Sequence, residues 1–342
     1  MRVLFVWSAA EWSVFDVARG FHDALVAAGH EVYNYRLYNR IEFAARGLYG
    51  LPGRLSENQP LISRLACEGL VVEALANEVE VIILASAVAV HPNGVIIAKR
   101  AGFPVAVLHT ESPYEDENQA EFSQWCDVTF THERFSAERY GWHYLPHAYD
   151  PAVHHPVRRD KRKVPILTAN GKSSTCDVLM LGTGWPERTD LLAAIDWTGI
   201  DLRILGVWPD IKKGHPLERF YTNGVVDNKA APRLYAASKI CLNFHRNHPR
   251  AESLNPRAYE IAACGGFQLS DPRAEVGEIF GDSVPAFTNA AELQHQIRHY
   301  LAHPAERKAM AERARLQVQG HTFTVRAAEM INVIQAELSH AG

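Results

Sequence analysis

Residues 252–266, ESLNPRAYEIAACGG, constrain the fold more than any other stretch of the chain. Asn255 followed by Pro256 is a helix start: the Asn side chain can accept from free amides, and Pro suits the first helical position. RAYEIAAC continues with helical composition, and Gly265 and Gly266 supply a stop that tolerates left-handed dihedrals. Short apolar runs stand on either side, KICLNF (239–244) and FQLS (267–270), and read as buried parallel strands. A strand, a loop, a helix N-terminus and a second strand make a βαβ unit. In an open α/β sheet the loop of such a unit lies at the carboxyl edge, where ligands bind. The amides and dipole of the helix N-terminus attract an anion such as a diphosphate.

Two carboxylates frame this unit: Glu252 in the loop, and Glu260, eight positions later, about one turn into the helix. From there Glu260 can accept hydrogen bonds from the vicinal hydroxyls of a ribose. Glu252 stands beside the place where a sugar carried on the diphosphate would lie. The plain alternative is a solvated loop acid and a helix-surface glutamate, the usual fate of charged side chains.

The rest of the chain repeats the same alternation. RVLFVW (2–7) reads as a buried first strand, and Val14, Val17, Phe21 and Leu25 follow at helical spacing. This start lacks the glycine pattern of a dinucleotide site, which excludes that class. A helix over 61–77, strands over 79–86 and 103–109, and short strands over 127–131 and 143–145 predict a parallel sheet. A second series opens with DVLMLGTGW (177–185), a strand and glycine turn. A helix over 186–197, a strand over 201–206 and a helix over 229–238 follow. Two such series predict an α/β chain of two doubly wound, Rossmann-like domains facing each other across a cleft. A length of 342 residues suits two cores of about 150–170 residues better than one. The domains are expected at 1–155 and 156–323, with a basic linker, HHPVRRDKRKVP (154–165), at their junction and a last helix over 324–342.

Composition narrows the partners. At a net charge of −4 no overall basic field advertises nucleic acid or an anionic membrane. No segment approaches about 18 continuous apolar residues, so no membrane span is expected. Five cysteines without a C-x-x-C pair suit buried free thiols in a reducing cytoplasm. Metal binding has little support. Glu115, Asp116 and Glu117 follow Pro113 in a loop of the first domain, away from the 252–266 unit. Of the histidines clustered at 132–155, only His143 and His147 have i,i+4 spacing, with Pro146 between them. No metal and no cofactor are expected.

The stretches ESLNPRAYEIAACGGFQLSD, LGTGWPERTDLL and HYLPHAYDP resemble the CgeB-type, spore-maturation-related glycosyltransferases, a GT-B group allied to the group-one glycosyltransferases. The resemblance is strongest over 177–323. It implies a GT-B fold and transfer of a sugar from a nucleotide-sugar, UDP-linked at the family level, to an acceptor hydroxyl. It also implies retention at the anomeric carbon without a metal, the nucleotide-sugar being a co-substrate rather than a cofactor. The spacing of Glu252 and Glu260 matches the family's donor motif, although many relatives lack its first glutamate. Rivals on the same fold are a nucleotide-sugar epimerase or hydrolase, and a sugar-nucleotide-binding protein without turnover.

A leaving nucleoside diphosphate develops negative charge, and without a metal fixed cations and amides must stabilise it. Arg246, following the strand KICLNF, and Arg188, just past the Gly182 and Gly184 turn, are the candidates. The guanidinium is a rigid fork that matches phosphate. Asn255 and Arg257 complete the expected donor side. His109 ends a strand of the first domain and, by the resemblance, is expected to contact the transferred sugar; with Glu252 and Arg246 it makes the catalytic set. The acceptor is expected on the first domain, with Glu11 and Trp12 in its first loop and Glu111 after His109 as contacts. Segment 36–60 is a further candidate, because Arg36, Arg40, Arg46 and Arg54 interleave there with Tyr38, Phe43 and Tyr49, next to Tyr35. Such a segment could clasp an anionic glycan, a lipid-linked phosphate or a modified DNA base through phosphate forks and stacking. Alternatively, its aromatics pack inward and its arginines face water.

Overall fold

The apolar runs become strands of two separate parallel sheets in the computed structural model, which describes residues 1–9, 11–49, 60–157 and 175–340. Two units result, Met1–Pro146 with Phe323–Gly342, and His147–Thr322. The first runs β1 (Arg2–Trp7), α1 (Glu11–Ala27), β2 (Glu31–Arg36), α2 (Leu37–Tyr49), α3 (Pro60–Ala76), β3 (Val81–Leu84), α4 (Pro92–Arg100), β4 (Val105–His109), α5 (Asp116–Ser123), β5 (Val128–Thr131), α6 (Arg134–Tyr140) and β6 (His143–Tyr144). Its six strands lie in the order β2-β1-β3-β4-β5-β6, every pairing parallel. β3 and β4 are buried along their whole length, which is why they read as unbroken apolar runs rather than alternating ones.

The second unit runs β7 (Cys176–Leu181), α7 (Pro186–Ala193), β8 (Leu202–Gly206), β9 (Tyr221–Asn223), α8 (Ala231–Ala237), β10 (Ser238–Asn243), α9 (Pro256–Ala263), β11 (Gln268–Ser270), α10 (Ala290–Ala302) and α11 (Pro304–Gln317). Its sheet has the order β11-β10-β7-β8-β9, again all parallel. β9 escaped the sequence reading because it is three residues long and largely exposed, so it carries no apolar signal. The chain then returns to the first unit as α12 (Phe323–His340). A Cβ at Gly20 of α1 would stand 2.3 Å from the Phe323 ring, so a glycine there lets α12 approach closely. Phe21 meets the same ring edge-on, with centroids 5.4 Å apart.

The first unit ends at Pro146, earlier than the expected 155. The reason is packing. Tyr149 N donates to His321 O at 3.1 Å, and Asp150 N donates to His154 Nδ1 at 3.3 Å. Buried His154 in turn contacts Asn228, so this stretch is bound into the second unit. Most of the expected basic linker, 158–165, lies outside the described residues. All five cysteines are free, and no described helix is long and apolar enough to cross a membrane.

Candidate functional site

In the five-stranded sheet the neighbours β7 and β10 send their chains to opposite sides. The loops after them therefore diverge and open a crevice at the carboxyl edge. The helices α7 and α9 both start from these loops. Asn255 caps α9 as its sequence demands: Oδ1 accepts from Ala258 N at 3.1 Å, with Pro256 in the first turn. Its Nδ2 donates to Asn243 Oδ1 at 2.9 Å, which ties the helix start to the end of β10. The N-terminus of α7 has no side-chain cap. Arg188 N and Thr189 N both donate to Trp185 O at 3.0 Å.

The loop 244–255 between β10 and α9 is shaped from behind by three residues that follow β11. Asp271 Oδ1 accepts from His245 N at 2.8 Å and from His245 Nδ1 at 2.7 Å. His245 Nε2 accepts from Asn255 N at 3.0 Å, so the ring is the neutral tautomer with its proton on Nδ1. Burial holds His245 below its ordinary value, against the pull of Asp271. Burial pushes the Asp271 carboxyl up, but the bonds from His245 outweigh it and the net direction is down. Arg273 donates to Ala251 O at 2.7 Å and to Arg246 O at 2.8 Å, and Glu275 Oε2 accepts from Leu254 N at 2.8 Å. None of Asp271, Arg273, Glu275 or His245 was singled out from the sequence. The only local signal is a charged run, DPRAE, placed just after a buried strand.

The two candidate arginines differ. Arg188 is buried; it donates through Nη1 to Thr183 O at 2.7 Å and through Nη2 to Phe244 O. It braces the two diverging loops against each other. Arg246 is half-buried, with its guanidinium 4.8 Å from the centroid of the Trp185 ring at the start of α7. Glu252 is half-buried in the same loop, and its carbonyl accepts from Glu275 N at 3.3 Å.

The glycines serve close approach. Gly182 has φ +145, and a Cβ there would stand 2.6 Å from Arg257 Nη1. Gly206 has φ +124, and its Cβ would meet Gly182 O at 2.0 Å. At Gly184 a Cβ would lie 2.6 Å from the buried Trp208 ring. Arg257 is thus laid across the β7 turn. Burial works against its charge, but Tyr235 and Glu260 outweigh burial and raise it. Glu260, one turn along the same helix, is 8% exposed. Its Oε2 accepts from Tyr235 OH at 3.3 Å, and its Oε1 lies 3.8 Å from His154 Nε2. The structure therefore brings Gly182, Arg257, Glu260, Tyr235 and His154 together. The last two were missed by sequence reasoning, His154 because it sits in what reads as a linker.

The first-unit candidates are not gathered in this way. His109 is 1% exposed; its Nε2 donates to Ser123 Oγ at 2.7 Å, and its ring centroid lies 4.9 Å from that of Trp142. Burial lowers it to about 3. It is a buried histidine packed against α5 and the Trp142 ring. Glu111 is half-buried, and its carbonyl accepts from Tyr114 N and Glu115 N. Glu11 and Trp12 fall in the first turn of α1, with side chains outside the described residues. Arg40 is ion-paired with Glu73 and stacked 4.3 Å over buried Tyr35, and Arg46 pairs with Glu42 at 3.1 Å. α2 buries Leu37, Ile41 and Ala45 but leaves Phe43 76% exposed, so of the aromatics Tyr35 packs inward and Phe43 does not. Arg54 lies outside the described residues. Asp116 is buried and accepts from Ser136 Oγ at 2.8 Å, an internal anchor for α5.

Comparison with known proteins bears on this geometry. Residues 177–332 match a protein-family model described as Glycosyl transferase-like. The chain is 24% identical over 241 residues to Spore protein CgeB of Bacillus subtilis (strain 168), a match covering 66% of this chain and 73% of that protein. Among solved structures it is similar to a sucrose-phosphate synthase from Thermosynechococcus elongatus, with 14% identity, a TM-score of 0.67 and 100% of both chains covered. It is also similar to HepE of Anabaena in complex with UDP-glucose, with 13% identity and a TM-score of 0.63 over 98% of this chain and 100% of that one. An alpha-glucosyltransferase in complex with UDP and a 13-mer DNA containing an HMU base has 13% identity and a TM-score of 0.67 over 98% and 99%. Two parallel-sheet α/β domains with these likenesses make the fold GT-B.

Proposed function

We propose, for a chain whose residues 177–332 form a glycosyl transferase-like domain and which is a glycosyltransferase of GT-B type, transfer of a sugar from a UDP-sugar to an acceptor hydroxyl. The observation that carries the donor assignment is the crevice between β7 and β10, where the N-termini of α7 and α9 both open at the carboxyl edge of the sheet. Two helix N-termini at one crevice favour a dianionic group such as a diphosphate. The binding of UDP-glucose by HepE supports the choice of nucleotide.

In this reading the diphosphate lies against the amides at the start of α7 and α9. Arg246 supplies the cation that stabilises charge developing on it, since Arg188 spends donors on the backbone of both loops. Glu260 accepts from the ribose through Oε1, with Tyr235 steadying Oε2. Glu252 faces the transferred sugar. The reaction retains configuration and uses no metal. Thermal-shift measurement against a panel of nucleotides and nucleotide-sugars tests the donor: UDP and one UDP-sugar should raise the transition of the second unit. UDP release should then depend on an added acceptor and persist in chelator. Stabilisation by purine nucleotides alone, or release that needs a divalent cation, would overturn it.

A further inference from the structure

The corner between α10 and α11 carries a cluster formed by none of the residues above. His299 and His303 have i,i+4 spacing, and Glu306 lies in the first turn of α11. One donor atom from each of the three lies within 4.8 Å of the others. His299 Nε2 is 2.9 Å from Glu306 Oε2. The two imidazoles stack, with centroids 4.1 Å apart and planes 22° apart. An ordinary ion pair accounts for His299 and Glu306, but not for the second ring laid on the first.

The backbone contact of His303 bears on what the cluster binds. Its Nδ1 donates to His299 O at 2.7 Å, which fixes the tautomer and leaves Nε2 with its lone pair. That is the bond a metal-ligating imidazole makes through its other nitrogen. Two imidazoles and one carboxylate suit a transition-metal ion rather than Mg²⁺ or Ca²⁺, which prefer all-oxygen sets. With bonds of about 2.0–2.1 Å, tetrahedral ligand atoms stand about 3.4 Å apart. The donor atoms, within 4.8 Å of one another, are set somewhat wider than that, so binding draws these exposed and half-exposed side chains together.

We propose that His299, His303 and Glu306 bind one divalent transition-metal ion, with Zn²⁺ the best fit and water in the fourth position. The ion pins α10 to α11. Leu293 and Ile297 of α10, with Met310 and Ala311 of α11, pack into one core of the second unit, so pinning the corner stabilises that unit.

Calorimetric titration of chelator-treated full-length chain with ZnCl₂ tests the site, alongside thermal unfolding with and without Zn²⁺. One ion per chain is expected. At saturating Zn²⁺ the second-unit transition should rise by about 5 °C, while MgCl₂ leaves it unchanged. His299→Ala and His303→Ala should each weaken binding by about tenfold or more. His295→Ala, at the exposed histidine one turn earlier on α10, should not. All these side chains are exposed or half-exposed, and unfolding without metal checks that each variant folds like the parent. No heat and no thermal shift with Zn²⁺ would overturn the proposal. So would binding that survives the double His299→Ala, His303→Ala variant, which would place the ion elsewhere, or an equal response to Mg²⁺.

Discussion

Replacing Arg273 by alanine tests whether the loop 244–255 is held in shape from behind. The Arg273 side chain is 5% exposed, lies 3.6 Å from Asp271, and donates to Ala251 O and Arg246 O at 2.7 and 2.8 Å. A hydrogen bond from a charged donor contributes about 1.5–3 kcal/mol, and the variant leaves both carbonyls without this donor. The two bonds share one side chain and are not additive, and water entering the gap recovers part of the loss. A net cost of about 3–4 kcal/mol follows. For a unit of this size each kcal/mol lowers the transition by about 2–4 °C, so the second unit should melt about 6–16 °C lower. Arg273→Lys keeps a cation beside Asp271 but lacks the fork, and should recover only part of that. Below the transition, calorimetry should show UDP affinity reduced by about tenfold, because the loop that carries Arg246 and Glu252 must be ordered on binding. An alanine variant with unchanged melting and unchanged UDP affinity would show that the loop keeps its shape unaided, and the clamp reasoning would be wrong.

Three further outcomes are expected. Glu260→Ala should weaken UDP binding by about 1–3 kcal/mol, measured by calorimetry on folded protein, and full affinity would remove the ribose assignment. Arg246→Ala should lower kcat more than donor affinity, as for a group acting on developing charge. Arg188→Ala should instead lower the melting temperature, and steady-state kinetics at saturating donor separates the two. In the first unit burial lowers His109 to about 3 and His132 to about 4, while both titrate near 6.5 when unfolded. Between those values the unfolded chain binds the protons first. Stability is therefore full above about pH 6.5 and falls as pH drops toward 4, by about 1.4 kcal/mol per pH unit for each histidine. Urea midpoints from pH 7 to 5 should follow that slope, and a flat profile would refute it.

The βαβ unit around 252–266 was legible because every signal in it is local. Asn255 caps an amide three residues on, Pro256 needs no partner, and the flanking strands are buried on both faces and so read as apolar runs. The same holds for β1, β3 and β4, and for the two-sheet architecture that their alternation with helices implies. Glu260 was placed about one turn into the helix from the position of its Asn255 and Pro256 start alone.

What the tertiary structure decided are the contacts between residues far apart in the chain, and the direction in which a side chain points. Asp271, Arg273 and Glu275 shape a loop 21–27 residues upstream through bonds to its backbone amides and carbonyls, and such bonds leave no trace in the residue types of the loop. His154 reaches Asn228 and Glu260 from what reads as a linker. His109 does end β4 as expected, but the strand end fixes only its position, and the packing of Ser123 and Trp142 turns its ring into the core. Arg40 gave the same signal as an arginine awaiting an anion, until folding set Glu73 beside it, whereas Arg46 pairs with Glu42 one turn earlier in the same helix. Local propensity depends on neighbours along the chain, whereas a charged or polar side chain takes its partner from whatever the fold brings within about 3 Å.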